Sequence, residues 1–285
     1  MRSLITPQRY LFKFYYIGTS KFHGTQRQSD NYTVEQCLLD ALIQKKYIKN
    51  AKSSKFEVAS RTDKLVSARG AAFSVISLKK PILMEINSIL PKEIGLWACT
   101  KVMENFTSRF NSICRHYKYI VPNPINLLEK NYEINLVLIK KACKYLEGTH
   151  NFKNFAKREK LVKNTVREIL SADISVNNGY LIFNFKSKSF LRQQIRKMVK
   201  KLLELGTGMI RYSEFLDLFD PLKEFSYQPA DPTGLILWDI EFNNNIKIKV
   251  DPKSFERMMN YFLNQKLKFG HKHQLFKVLH QNYLS

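Results

Sequence analysis

The stretch Ala59-Ser60-Arg61-Thr62-Asp63-Lys64-Leu65-Val66-Ser67-Ala68-Arg69-Gly70 concentrates the chemistry of this chain. Asp63 is a carboxylate set between two cations, Arg61 and Lys64. Nearby positive charge favours the ionised form of an acid. An ionised carboxylate can attack an electrophilic carbon or take up a proton. The flanking residues fix where it sits. Lys55 to Ala59 reads as a short strand, and Ala71 to Leu78 as a longer one ending ahead of Pro81. Arg61 to Lys64 therefore ride a loop between two strands of one sheet. Catalytic groups gather on loops held by a rigid scaffold, but the same residues also read as a solvated turn whose charges cancel.

The elements that must position this loop are legible on both sides of it. Arg9 to Gly18 alternates, with Tyr10, Phe12, Phe14 and Tyr16 on one face and Leu11, Lys13, Tyr15 and Ile17 on the other. Gly18 ends that strand. The loop behind it carries Lys21, His23, Gln26, Arg27 and Gln28, side chains suited to phosphates and sugars. Thr33 and Gln36 form a capping-box pair ahead of a helical stripe of Val34, Cys37, Leu38, Ala41 and Leu42. Pro81 to Leu90 reads as a short helix and Gly95 to Val102 as a strand. A further strand runs to Val121, with Arg115, Tyr117 and Tyr119 on one face and His116 and Lys118 on the other. Tyrosines at period two commonly mean core packing.

Asn135 to Glu147 is a helix closed by Gly148, and Lys157 to Lys163 is a basic excursion. Val166 to Val176 and Tyr180 to Phe185 are strands joined by Asn177-Asn178-Gly179, a strong hairpin signal. The helix expected from Phe190 to Leu205 is apolar on one half, and Arg192, Arg196 and Lys200 form a ridge beside that half. Such a ridge is commonly solvated, yet a guanidinium at the margin of an apolar stripe can reach inward. Ser213 to Phe219 is another helix, and Leu235 opens a last strand through Trp238 and Ile240. The tail from Asp251 is helical around Phe255, Met258, Met259 and Phe262, then rich in lysine and histidine.

Composition narrows the partners. The 285 residues are 44% hydrophobic, enough for a sizeable core. Lysine and arginine number 47 against 24 acids, a formal charge of +23 that points to a polyanion, and 13% aromatic residues suit stacking on bases. No apolar run approaches the roughly 18 residues that span a bilayer. Met1 to Leu4 has no apolar stretch behind it, so no secretory leader is expected. Cys37, Cys99, Cys114 and Cys143 form no paired spacing, which argues against a zinc site or a disulfide framework and fits a reducing, cytoplasmic setting.

Three segments, in order, resemble the motifs of the TruA-type tRNA pseudouridine synthases: Gly18 to Gln28, Ser60 to Ala68, and Ser189-Phe190-Leu191 with Ile195-Arg196. The Arg115-to-Tyr119 run and the glycine at Gly234 are also similar to family segments. Leu65 stands where the family has glycine, Ser67 where its bacterial branch has histidine, Thr25 for its common tryptophan and Ile17 for its common aspartate.

The resemblance implies that Asp63 is the catalytic residue, that Arg61 holds the flipped nucleotide, that Tyr117 packs on the uracil and that Arg196 is the ion partner of Asp63. A bidentate pair would fix the carboxylate. Lys21, His23, Lys64, Arg27, Arg192 and Lys200 are the candidate RNA contacts. The implied fold is α+β: two related halves sharing a continuous mixed, mostly antiparallel sheet with a basic central cleft, helices on one side and RNA on the other. The boundaries expected are 1–105 for a catalytic-loop subdomain, 106–245 for a second subdomain and 246–285 for a basic extension. The implied reaction converts uridine to pseudouridine in the anticodon stem-loop, around tRNA positions 38–40, with no metal or other cofactor. A monomer and a homodimer both fit. A non-catalytic tRNA- or RNA-binding protein on the same fold is the rival reading.

Overall fold

The computed structural model describes residues 6–126, 133–158 and 164–281. The Met1–Leu4 segment and most of the Lys157–Lys163 excursion lie outside them. Strands β1 (Gln8–Tyr16), β2 (Glu57–Val58), β3 (Ser67–Ser77), β4 (Ile94–Lys101), β5 (Ser112–Ile120), β6 (Gly148–Asn151), β7 (Val166–Asn177), β8 (Tyr180–Ser187), β9 (Leu235–Phe242) and β10 (Lys249–Val250) build one sheet. Its order is β10-β4-β1-β3-β9-β5-β8-β7-β6, with β2 on β3. Neighbours are antiparallel except β3 and β9, which run parallel where Ser67 meets Ile236 and Ala68 meets Leu237. That junction joins the strands of the first 101 residues, with β10 at their outer edge, to strands β5 through β9. The expected mixed, mostly antiparallel α+β architecture is the one observed.

Register decides which residues face the site. Tyr16 pairs with Ala68, Ala68 with Leu237, Leu237 with Tyr117 and Tyr117 with Phe185, so these five lie in a row on one face of five neighbouring strands. The helices α1 (Val34–Gln44), α3 (Leu136–Leu146) and α4 (Gln194–Gly206) bury their apolar stripes in the core on this same face. The cleft opens between them. It is therefore not on the face opposite the helices, as expected; the covering helices leave a gap over the middle of the sheet. The short helices α2 (Leu83–Asn87) and α5 (Tyr212–Asp217) fill edges.

β1 is buried on both faces, because it lies inside the sheet with helices on one side and part of α6 (Pro252–Leu279) on the other. Phe255 of α6 meets Trp97, and Phe262 meets Tyr15 edge-on at 5.1 Å. From Lys266 onward α6 stands exposed.

Two local expectations change. Thr33 caps α1 by accepting from Gln36 N–H, but the Gln36 carboxamide donates to Asp40, so only half of the capping box forms. The helix expected from Phe190 starts at Gln194, because Gln193 adopts a left-handed φ of 61° that a helix cannot include. Arg192 thus leaves the expected ridge. The Asn177-Asn178-Gly179 hairpin forms with positive φ at Asn178 and Gly179. All four cysteines are free. Among the described residues no helix is long and apolar enough to cross a membrane.

Candidate active site

The Asp63 loop is fastened at both ends and in the middle. Val58 of β2 pairs with Phe73, and the chain returns to β3 at Ser67. Between them Thr62 sits in a triangle of hydroxyls: 2.7 Å to Tyr16, 2.6 Å to Thr25, with Tyr16 and Thr25 3.1 Å apart. Burial pushes the Tyr16 phenol far up, so its O–H stays available to that triangle. Thr25 N–H donates to the Thr62 carbonyl at 3.2 Å, and Gly18 N–H donates to the Ser67 hydroxyl at 3.0 Å. Gly18 and Gly24 pass so close that a Cβ would fall 2.3 Å from the Leu65 carbonyl and 2.7 Å from the Thr62 oxygen. Leu65 itself holds φ at 69°. This left-handed turn explains why glycine suits that position, and leucine there costs about 1–2 kcal/mol.

Asp63 emerges from this turn toward α4. Arg196 Nη1 donates to Asp63 Oδ2 at 2.9 Å, across 133 residues of sequence. The pair is monodentate, because Arg196 Nε donates to the Ala230 carbonyl at 2.7 Å. The guanidinium is 10% exposed and the carboxylate 30%, so the acid keeps an open side while its partner is locked. Tyr117 lines the same cleft, its hydroxyl 3.0 Å from that of Ser60 and its ring edge-on to Phe190 at 5.4 Å. Burial raises the phenol above its ordinary value. Arg115, two residues earlier on the same face, donates to the carbonyls of Ala59 at 2.7 Å and Arg109 at 3.1 Å and also to that of Lys188, tying the loop entrance to β5.

These groups line one cleft of about 1100 Å³. Arg61, Lys64, Arg109, Arg167 and Arg192 add cations around it, with the His23 ring beside Lys64, against Glu35, Glu57 and Asp63. Such a rim attracts a polyanion, and the aromatic floor suits a base. Among the described residues no group of three or more His, Cys, Asp or Glu could hold a metal ion.

Residues 142–243 match the tRNA pseudouridine synthase family. The tRNA pseudouridine synthase A of Methanothermobacter thermautotrophicus is 34% identical over 248 residues, 87% of this chain and 86% of that one. That of Methanosphaera stadtmanae is 36% identical over 245 residues, 85% of this chain and 86% of the relative. That of Archaeoglobus fulgidus is 31% identical over 278 residues, 97% and 99% of the two chains. This chain belongs to the tRNA pseudouridine synthase family.

Of the site residues expected for a member of this family, Asp63, Arg61, Tyr117, Arg196, His23, Lys64 and Arg192 come together at the cleft. Lys64 Nζ lies 3.2 Å from His23 Nε2. Three others do not line it: Lys21 lies 3.8 Å from Glu93, Arg27 3.2 Å from Glu35 and Lys200 3.4 Å from Glu204. Each has an acid as its neighbour instead. Arg109, Arg115, Arg167 and Gln194 are cleft residues that sequence reading did not single out. Only Arg115 carried a signal, since it shares the inward face with Tyr117.

Proposed function

We propose that this chain isomerises uridine to pseudouridine in the anticodon stem-loop of tRNA, around positions 38–40, with Asp63 as the catalytic residue. One observation carries the reading: the Asp63 carboxylate, 30% exposed to a basic cleft, is held by a buried arginine 2.9 Å away and shares that cleft with the buried Tyr117. The isomerisation breaks the N1–C1′ bond, turns the base and forms a C5–C1′ bond; C5 gives up a proton and N1 gains one. Two routes are open to a carboxylate at this place. It can attack C1′ as N1 departs, or remove the C2′ proton to give a glycal. A stacked uridine is out of reach of either, so the nucleotide is turned out of its stem. Tyr117 then receives the base, and Arg61 on the rim occupies the space it leaves. The remaining cations hold phosphates, giving affinity without reading sequence. The reading is of a cytoplasmic enzyme.

The test is an unmodified tRNA transcript incubated with purified protein and mapped for pseudouridine. Wild-type protein should modify it. Asp63→Asn and Asp63→Ala should form no detectable product while tRNA affinity stays within about twofold, since the phosphate contacts remain. A wild-type protein that binds tRNA and modifies nothing is a non-catalytic binder, and turnover by Asp63→Ala removes the aspartate from its role.

A further inference from the structure

Gln194 is the first residue of α4 and lines the cleft beside Arg196 and Leu191. It is 1% exposed, and only half of its carboxamide is used. Leu191 N–H donates to Oε1 at 2.7 Å, whereas Nε2 has no hydrogen-bond partner among the described residues. The Leu191 bond fixes which way the amide is turned, because a backbone N–H must face the oxygen and not the NH2. A buried donor with no acceptor is uncommon in a folded protein, since it has given up water for nothing. Its surroundings name what is missing. Arg196, two residues on, grips Asp63; Phe190, four residues back, packs on the ring of Tyr117. The unused donor thus belongs to the same wall of the cleft as the group that aims the carboxylate and the group that meets the base.

We propose that Gln194 Nε2 donates to O4 of the everted uracil and so distinguishes uridine from cytidine. This rests on the reading of the cleft as a pseudouridine-forming site and adds the group that reads the base. Uracil and cytosine share O2 and differ at C4, where uracil carries an acceptor oxygen and cytosine a donor amine. A mobile amide could turn over to suit either. This one cannot, because its oxygen is held by Leu191. With the base seated and water shut out, cytosine would set donor against donor, and a site built around one hydrogen bond rejects the analogue that leaves its buried groups unpaired.

The test compares affinities without turnover. Asp63→Asn protein is titrated with two transcripts that differ only in carrying uridine or cytidine at the modified position. It should prefer uridine about three- to tenfold, the effect of one neutral hydrogen bond. Adding Gln194→Glu keeps an oxygen for Leu191 N–H and replaces the donor by an acceptor; the preference should vanish or pass to cytidine. Adding Gln194→Met, which offers neither group, should flatten the preference without inverting it. Urea midpoints within about 0.5 M of the parent establish that the doubly substituted proteins are folded. A folded Gln194→Glu protein that loses affinity equally for both transcripts, leaving the ratio unchanged, overturns the proposal and makes Gln194 a backbone or ribose contact. Absence of pseudouridine formation by the wild-type enzyme would be a separate failure, that of the catalytic reading, since the uridine-to-cytidine ratio is measured without turnover.

Discussion

Arg196 connects three parts of the molecule through one side chain: the Asp63 loop, the first turn of α4 and the Ala230 carbonyl ahead of β9. Its removal should act on chemistry and folding together. Arg196→Ala frees the carboxylate to wander, and misplacement of a catalytic group by about 1 Å costs on the order of 100-fold in rate. Stability should fall by about 1 kcal/mol, the low end of the penalty for a carbonyl losing its donor, because the Ala230 carbonyl is only partly buried and the 30% exposed carboxylate can recover water. Arg196→Lys keeps the charge but has no planar fork to reach both oxygens, so it should recover less than a tenth of the rate. Single-turnover kinetics and urea melts check all three; an unchanged rate in Arg196→Ala would sink the ion pair as a positioning device. At this scale the sequence was legible where resemblance reached. Asp63, Tyr117 and Arg196 were readable from motifs, but the monodentate geometry was not, since nothing in the sequence shows Ala230 O competing for the guanidinium. Gln194 was invisible for the same reason: its meaning lies in an unused N–H.

The loop depends on elements that barely touch Asp63. Gly18 passes under the Leu65 carbonyl, and a methyl group there would fall 2.3 Å from backbone atoms that have no flexible end to move aside. Gly18→Ala should therefore destabilise by about 1–3 kcal/mol and cut turnover on the order of 100-fold, since the loop must shift to accept it. Loss of stability with full activity would show the loop to be less constrained than its contacts imply. Leu65→Gly is the counterpart. Its φ of 69° is one that glycine adopts freely, so activity should stay within about threefold in the same single-turnover assay. Strand β3, the hairpin at Asn178-Gly179 and the stripe of α1 were readable because each is a local pattern. The start of α4 was not. The run from Phe190 carries helical periodicity, and a left-handed Gln193 overrides it so that Leu191 N–H can meet the Gln194 side chain. β10 was missed because two residues offer no period to read.

Across the molecule, the sheet order is the feature least available to sequence: no residue of β3 announces a parallel partner some 170 positions later. Charge and titration, by contrast, are whole-chain properties with consequences that can be measured. Burial raises the phenols of Tyr16, Tyr117 and Tyr227, and lifts that of Tyr119 to about 12. In the unfolded chain they titrate near 10. Between those values the folded protein binds more protons than the unfolded one, so stability falls as pH rises through that window. Lys13 and Lys197, held below their ordinary values by burial, act in the opposite sense but are two groups against these four phenols. Urea midpoints should decline from pH 9 to pH 11, and a flat profile would mean that these rings are more hydrated than their burial implies. Salt tests the polyanion reading. The logarithm of tRNA affinity should fall linearly with the logarithm of salt concentration, by about 0.7–0.9 for each phosphate neutralised. Arg109 lines the cleft, so Arg109→Ala should weaken binding to every tRNA alike and flatten that slope by about one. Lys200 lies 3.4 Å from Glu204 and outside the lining, and Lys200→Ala should leave the slope unchanged. If Lys200→Ala flattens it and Arg109→Ala does not, the RNA runs along the outer side of α4 and not through the cleft. The order of the two slopes therefore places the RNA without a structure of the complex, because only a cation that meets a phosphate displaces counterions from the RNA.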